Sequence, residues 1–163
     1  LKEISIRARR CNFDIISTKL IKKHESKDPG LFRRQSFDRI LVDAPCSGMG
    51  TVRRMPMPKY RLSKNLLAKL AERQLDILTF YSQFLKPGGI LVYATCSLMP
   101  QENSEIAEKF LTENTEFSPD PINPIFDSQN VSINELSETD YFLSLNPFDH
   151  ESDGFFMARF RKD

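Results

Sequence analysis

Phe37-Asp38-Arg39-Ile40-Leu41-Val42-Asp43-Ala44-Pro45-Cys46-Ser47-Gly48-Met49-Gly50 is the stretch on which the reading of this chain turns. Ile40-Leu41-Val42 is a continuous apolar run of the kind found in strands buried within a parallel sheet. Pro45 and the two glycines forbid the strand's continuation, so it ends at Asp43 and opens into a loop carrying Cys46. Downstream, Ser63 is a good N-cap for a helix to about Leu85, with Leu67, Leu70, Ala71, Gln74, Leu78, Tyr81 and Leu85 along one face. Lys86-Pro87-Gly88-Gly89 ends that helix. Ile90-Leu91-Val92-Tyr93-Ala94-Thr95 is the next buried strand, followed by Cys96-Ser97. Strand, long helix, strand is a βαβ unit, and the expected class is α/β with a largely parallel sheet.

Farther out the signals are shorter. Pro100 opens another helix, with Glu102 and Glu105 in its first turns and Ile106, Phe110 and Leu111 on its inner face. Residues 115–150, rich in Pro, Asn, Ser and acid, read as an irregular segment with one short strand or helix. Phe155-Phe156-Met157-Ala158-Arg159-Phe160 is a final strand after Gly154. Toward the N-terminus, residues 2–8 alternate apolar and polar, which predicts a short strand. Lys19–Arg34 is polar and contains a turn or surface insertion at Lys27-Asp28-Pro29-Gly30.

The 163 residues suffice for one domain with a real core, and 40% hydrophobic content argues against disorder. No run approaches the roughly 18 apolar residues of a membrane span, and the N-terminus carries no signal-peptide pattern, so no membrane partner is expected. Three cysteines, 35 and 50 residues apart, make neither a disulfide framework nor zinc knuckles. With two histidines, a His-based metal centre is not expected either. The reading is a protein of a reducing, cytoplasmic compartment.

The net charge of +1 hides an asymmetry. Residues 1–73 carry 18 Lys/Arg against 7 Asp/Glu, whereas residues 74–163 carry 5 against 15. The cations cluster at Arg7, Arg9 and Arg10, at Lys19, Lys22 and Lys23, at Arg33 and Arg34, and at Arg53, Arg54, Lys59, Arg61 and Lys64. Such a half-chain is an electrostatic footprint for a polyanion, unless the two halves pack together and neutralise each other.

In an open α/β sheet, ligands bind beyond the carboxyl ends of the strands. Two strands joined by one crossover helix are often neighbours, roughly 4.8 Å apart. The fifty-residue separation of Cys46 and Cys96 then collapses to about 10 Å or less at one sheet edge, beside the Asp43 carboxylate. Most free cysteines are small buried hydrophobes, and Cys11, with no motif around it, is read that way. Cys46 and Cys96 differ, because each follows a strand directly in a loop of small residues. His24 and His150 read as ordinary polar residues, and neither lies in a strand-end loop as a thiol hydrolase would need.

Asp43-Ala44-Pro45-Cys46-Ser47-Gly48-Met49-Gly50 with Arg53-Arg54-Met55-Pro56 resembles the fourth motif of the Fmu/Sun (RsmB-like) family of RNA cytosine-5 methyltransferases. Gln74-Leu75-Asp76-Ile77-Leu78, Leu85-Lys86-Pro87-Gly88-Gly89 and Val92-Tyr93-Ala94-Thr95-Cys96-Ser97 resemble its sixth motif and the helix before it. Pro100-Gln101-Glu102-Asn103 and Asp153-Gly154-Phe155-Phe156 are similar to its later signatures. The likeness runs from about Phe37 to Arg161, with five motifs in order. It implies a Rossmann-like fold, S-adenosylmethionine as cofactor and an RNA substrate, with ribosomal RNA favoured and transfer RNA the alternative, in the cytoplasm or, in a eukaryote, the nucleolus.

The resemblance also implies roles. Carbon 5 of cytosine is a poor nucleophile until a thiolate adds to carbon 6, and Cys96 is the family's nucleophile by position. Asp43 would hydrogen-bond the ring's nitrogen 3 and lie beside the cofactor. Cys46 would serve the release step, in which the proton on carbon 5 leaves. Arg53, Arg54, Lys59 and Arg61 would meet the RNA backbone, and the target cytosine would be unpaired or flipped out. A DNA cytosine-5 methyltransferase needs only the Pro-Cys motif and leaves Thr95-Cys96-Ser97 unexplained.

The chain departs from the family in one respect. No G-x-G loop precedes a helix, since Gly30 is the only glycine before Gly48. Residues 1–163 therefore read as the C-terminal part of one catalytic domain, lacking its first strands, with Asp14 in Asn12-Phe13-Asp14 as the match to the family's adenine-side acid. Alone, such a piece is expected to be inactive and to dimerise or misorder where strands are missing. A non-catalytic RNA-binding or assembly module on the same scaffold is the alternative.

Overall fold

The computed structural model describes residues 2–21, 28, 30–131, 133 and 136–163, which fall into two compact units, Leu1–Arg33 and Arg34–Asp163. The first unit holds helix α1, Lys2–Arg10, where the alternating pattern predicts a strand. Seven residues of alternation fit either period. Helix wins here because its spacing pairs Arg7 Nε with Glu3 Oε1 at 2.9 Å, four residues apart, and sets three arginines at the negative end of the dipole. Asn12, in the left-handed region at φ 58°, closes the helix. Its N–H donates to Arg9 O, and the Phe13 N–H donates to Ala8 O. The expected turn is present in part: Gly30 N–H donates to Asp28 Oδ1 at 2.8 Å and Leu31 N–H to Asp28 O at 3.0 Å. Lys22, Lys23, His24, Lys27 and Pro29 lie outside the described residues.

In the second unit, strand β1 (Phe37–Asp43) pairs parallel with β2 (Leu85–Thr95), with Asp43 opposite Ala94. The short helix α2 (Met57–Arg61) and the long helix α3 (Lys64–Ser82) connect them. Ser63 Oγ accepts from Leu66 N at 3.2 Å, capping α3. Helix α3 stops at Ser82, earlier than expected, and β2 begins at Leu85, before the Pro-Gly-Gly sequence. Phe84 and Leu85 are fully buried, so the chain must enter the core before it reaches Pro87. Pro87-Gly88-Gly89 is consequently a bulge within β2. The pairing moves from Phe37↔Leu85 to Arg39↔Ile90 across it, and Gly88 adopts φ 74°.

The sheet is mixed, in contrast to the largely parallel one expected. Strand β5 (Phe155–Lys162) runs antiparallel to β2, and β3 (Phe117–Pro119) and β4 (Phe142–Leu145) run antiparallel to β5. The order is β1-β2-β5-β3, with β4 also beside β5. The reason is the connection. The chain leaves β2 through a 3₁₀ turn at Pro100–Glu102, helix α4 (Ser104–Glu113), β3 and helix α5 (Asn123–Ser128), then turns from β4 directly into β5 as a hairpin. Residues 115–150, expected to hold one short element, hold three. Strand β5 shows the alternation of an antiparallel strand: Phe156, Ala158 and Phe160 are buried while Phe155 and Arg161 are exposed.

Leu78, Leu85, Leu91, Tyr93, Ile106, Phe110, Phe156 and Phe160 form the heart of the core, where α3 and α4 pack against each other over the sheet. Strand β1 is an edge, and Leu41 is 68% exposed although Val42 is buried. Among the described residues no helix is long and apolar enough to cross a membrane.

Three loops converge at the carboxyl ends of β1 and β2. Gly50 N–H donates to Cys96 O at 2.9 Å, and Gly154 N–H donates to Gly50 O at 2.8 Å. This stitching requires glycine at position 50, because a Cβ there would lie 2.1 Å from Gly154 O. Gly50→Ala is therefore expected to cost about 3 kcal/mol or more, toward the top of the overpacking range, because backbone cannot yield as a side chain does. Gly88→Ala, whose Cβ meets nothing, is expected to cost about 1 kcal/mol from its backbone conformation alone. Urea unfolding of the two variants checks the ranking.

Candidate active site

Parallel neighbours release their chains at the same edge, and the two strand-end loops lie side by side. Cys46 Sγ and Cys96 Sγ are 3.3 Å apart, both half-buried and both free thiols. Cys11, in the first unit, is exposed. The Cys46 thiol is pushed up to about 12, first by burial and then by the Cys96 sulfur beside it, against a smaller opposite effect of the Gly48 backbone N–H. Cys46 therefore keeps its proton at neutral pH. Either sulfur can donate to the other across this distance.

The loops are held by a carboxylate that sequence reasoning assigned to an ordinary helix start. Glu102 is fully buried. Its Oε1 accepts from Ser47 N at 2.8 Å and from Gln74 Nε2 at 3.0 Å. Its Oε2 accepts from Ser47 Oγ and Ser97 Oγ, each at 2.5 Å. Gln74 Nε2 also donates to Pro45 O, and Tyr93 Oη donates to the Glu102 backbone carbonyl. Asn103 accepts from Thr95 Oγ1 and donates to Ser97 O. A carboxylate taken out of water costs several kcal/mol unless its lone pairs are filled, and here four donors fill them. The sequence held one clue to this network. Gln74 is a polar residue in the otherwise apolar stripe of α3, and a buried amide needs a partner.

Asp43 ends β1 exposed, and among the described residues no side chain pairs with it. Its carboxylate stands open at the edge where the thiols converge. Asp14 is exposed in the first unit. Arg53, Lys59 and Arg61 are exposed, and Lys59 Nζ lies 4.9 Å from the centre of the Tyr60 ring. Arg54 is less free than the sequence suggests, since it forms an ion pair with Asp153 of the β4–β5 connection. Helix α2 seats against the Cys46 loop, with Pro58 Cγ 3.6 Å from the place where a Gly48 side chain would begin. His150 lies in a local turn, its Nδ1 3.2 Å from Asn146 N. Among the described residues no group of three or more His, Cys, Asp or Glu is arranged to hold a metal.

The model of the family "16S rRNA methyltransferase RsmB/F" matches residues 1–161. The chain is 38% identical over 128 residues to ribosomal RNA small subunit methyltransferase B of Shewanella oneidensis, covering 78% of this chain and 28% of that protein. To the probable ribosomal RNA small subunit methyltransferase B of Bacillus subtilis it is 40% identical over 138 residues, covering 80% and 29%. The chain thus spans less than a third of these curated relatives. In fold it is similar to the crystal structure of NSun6 from Pyrococcus horikoshii with SFG, at a TM-score of 0.77 and 21% identity, covering 99% of this chain and 38% of that one.

Alkylating reagents attack the thiolate, so a thiol pushed up to about 12 should label slowly at neutral pH. Below its pKa the ionised fraction rises tenfold per pH unit. Cys46 carboxamidomethylation, followed by peptide mass spectrometry, is expected to accelerate about tenfold per unit between about pH 7 and pH 9 without a plateau. A plateau within that window contradicts the raised value.

Proposed function

The chain belongs to the 16S rRNA methyltransferase RsmB/F family, and on that premise we propose that it forms part of the catalytic domain of an S-adenosylmethionine-dependent enzyme that methylates carbon 5 of a cytosine in ribosomal RNA. The observation that carries the proposal is the 3.3 Å approach of the Cys46 and Cys96 sulfurs, past the strand end at which Asp43 is exposed. One thiol suffices for addition to a pyrimidine. A second, within reach of the same ring, suits a reaction that must also undo the addition.

Cys96, beside a Cys46 thiol that keeps its proton, adds as the thiolate to carbon 6 of the flipped-out base. The ring electrons move toward nitrogen 3, where Asp43, having taken up the proton that Cys96 loses, donates the stabilising hydrogen bond. S-adenosylmethionine, when bound, supplies an electrophilic methyl group to carbon 5. The exposed, unpaired Asp43 carboxylate suits a cofactor that carries positive charge, and Asp14 is assigned to its adenine side. Once Cys96 is bonded to carbon it carries no charge. One influence that held the Cys46 proton is then gone, and that proton passes to solvent. Cys46 takes the proton from carbon 5, the electrons return to the ring, and the Cys96–carbon bond breaks.

Arg53, Arg54, Lys59 and Arg61, on and before the helix seated against the Cys46 loop, would contact phosphates. Contacts of that kind set affinity and position more than choice of base. The enzyme would work in the cytoplasm, where ribosomal RNA of bacterial relatives is found.

With the intact catalytic domain, the cofactor and a cytosine-containing ribosomal RNA fragment, Cys46→Ala is expected to accumulate an RNA adduct that survives denaturing electrophoresis. Cys96→Ala should form none. The reverse pattern exchanges the two roles, and no adduct in either variant supports a non-catalytic RNA-binding module instead.

A further inference from the structure

Cys46 lies three residues past the end of β1, and Cys96 lies one past the end of β2, so the ladder does not hold the sulfurs. Apart from the Gly50–Cys96 backbone bond and a 3.2 Å contact between the Ser47 and Ser97 hydroxyls, what spans the gap converges on one side chain. Each cysteine is followed by a serine, and both serine hydroxyls reach the same oxygen of Glu102. Ser47 is gripped a second time through its N–H. Gln74, from the crossover helix, ties the other carboxylate oxygen to Pro45 O, on the opposite side of Cys46. The residues on both sides of Cys46 and the residue after Cys96 are thus fixed to a single buried anion.

We propose that Glu102 is a positioning residue that sets the separation of the Cys46 and Cys96 sulfurs by clasping Ser47 and Ser97. An apolar residue would suit the core better, because a buried carboxylate stabilises the fold little even when its partners are in place. The clasp gains geometry instead. Two thiols that divide one reaction between them must reach adjacent atoms of one ring, and a loss of an ångström is enough to uncouple them. The functional importance of the clasp rests on the methylation reading; its geometric claim does not.

The test uses phenylarsine oxide, whose arsenic bonds two sulfurs at once with loss of one water, and so reports on a pair of thiols without RNA or cofactor. The chain is used with Cys11→Ser, leaving only Cys46 and Cys96. Glu102→Ala is expected to weaken arsenical retention at least tenfold against a competing dithiol. Glu102→Gln should restore it to within about threefold, because its amide oxygen still accepts from Ser47 N and Gln74 while its NH₂ donates to both serine hydroxyls. If Glu102→Ala does not fold by circular dichroism, Ser47→Ala decides, with an expected loss of about threefold to tenfold. Wild-type retention in the folded alanine variant of either residue overturns the proposal, as does failure of the glutamine variant to restore it. These readings are independent of the adduct experiment, so the clasp and the methylation chemistry can fail separately.

Discussion

The parallel pairing of β1 with β2, in the register that sets Asp43 opposite Ala94, is the constraint on which the rest of the site depends. Side chains alternate along a strand, so a shift of one residue would turn Val42 out of the core and swing the following loop to the other face. Val42, Leu91 and Tyr93, all buried against the helices, fix that register through packing. Only with it in place do two cysteines fifty residues apart leave the sheet side by side. The hydrogen bonds between the loops then refine an approach that the sheet has already made.

The approach of the two sulfurs changes the chemistry of Cys46. Desolvated by its loop and set against a neighbouring sulfur, it retains its proton at neutral pH. Adjacent thiols cannot both ionise cheaply, for the same reason that paired carboxylates titrate apart. The pair therefore resists carrying two negative charges at once. The hold on the Cys46 proton arises from burial and from the sulfur beside it, against a smaller opposing effect of the Gly48 N–H, and requires no histidine to impose it.

Much of this was legible in the sequence, and what was missed has physical causes. The boundaries of β1 emerged intact because an apolar run ending in Pro-Cys-Ser-Gly admits one reading. Residues 2–8 were misjudged because Ile4 and Ile6 satisfy a period of two while Ile4 and Ala8 satisfy a helical spacing, and the Glu3–Arg7 pair settles the choice. Pro87-Gly88-Gly89 resembled a turn because local propensity cannot register that Phe84 and Leu85 are already buried. The parallel sheet was over-extended because strand direction depends on the path between strands, and the β4–β5 hairpin was hidden in a segment of weak pattern. Glu102 was read only as part of a helix's first turn and of the Pro100–Asn103 signature, because position in a helix says nothing of what faces it. Gln74, polar on an apolar stripe, was the warning.

The basic surface and the reactive pair are also mechanically joined. Helix α2 carries Lys59 and Arg61 and rests through Pro58 against Gly48, two residues from Cys46. Arg54, in the same connection, is tied to Asp153, next to the glycine whose N–H holds Gly50. A polyanion lying across these cations would press on the loop that bears the protonated thiol, and it would compete with Asp153 for Arg54. The Asp153 side chain is 21% exposed and, among the described residues, its Oδ1 has no hydrogen-bond partner. Losing Arg54 would leave it without its counter-charge, so the ion pair couples the β4–β5 connection to whatever Arg54 binds. The loops that hold Gly50 are thereby the ones best placed to respond to a bound backbone. Glu102, buried and four times bonded, keeps the sulfurs together while they do.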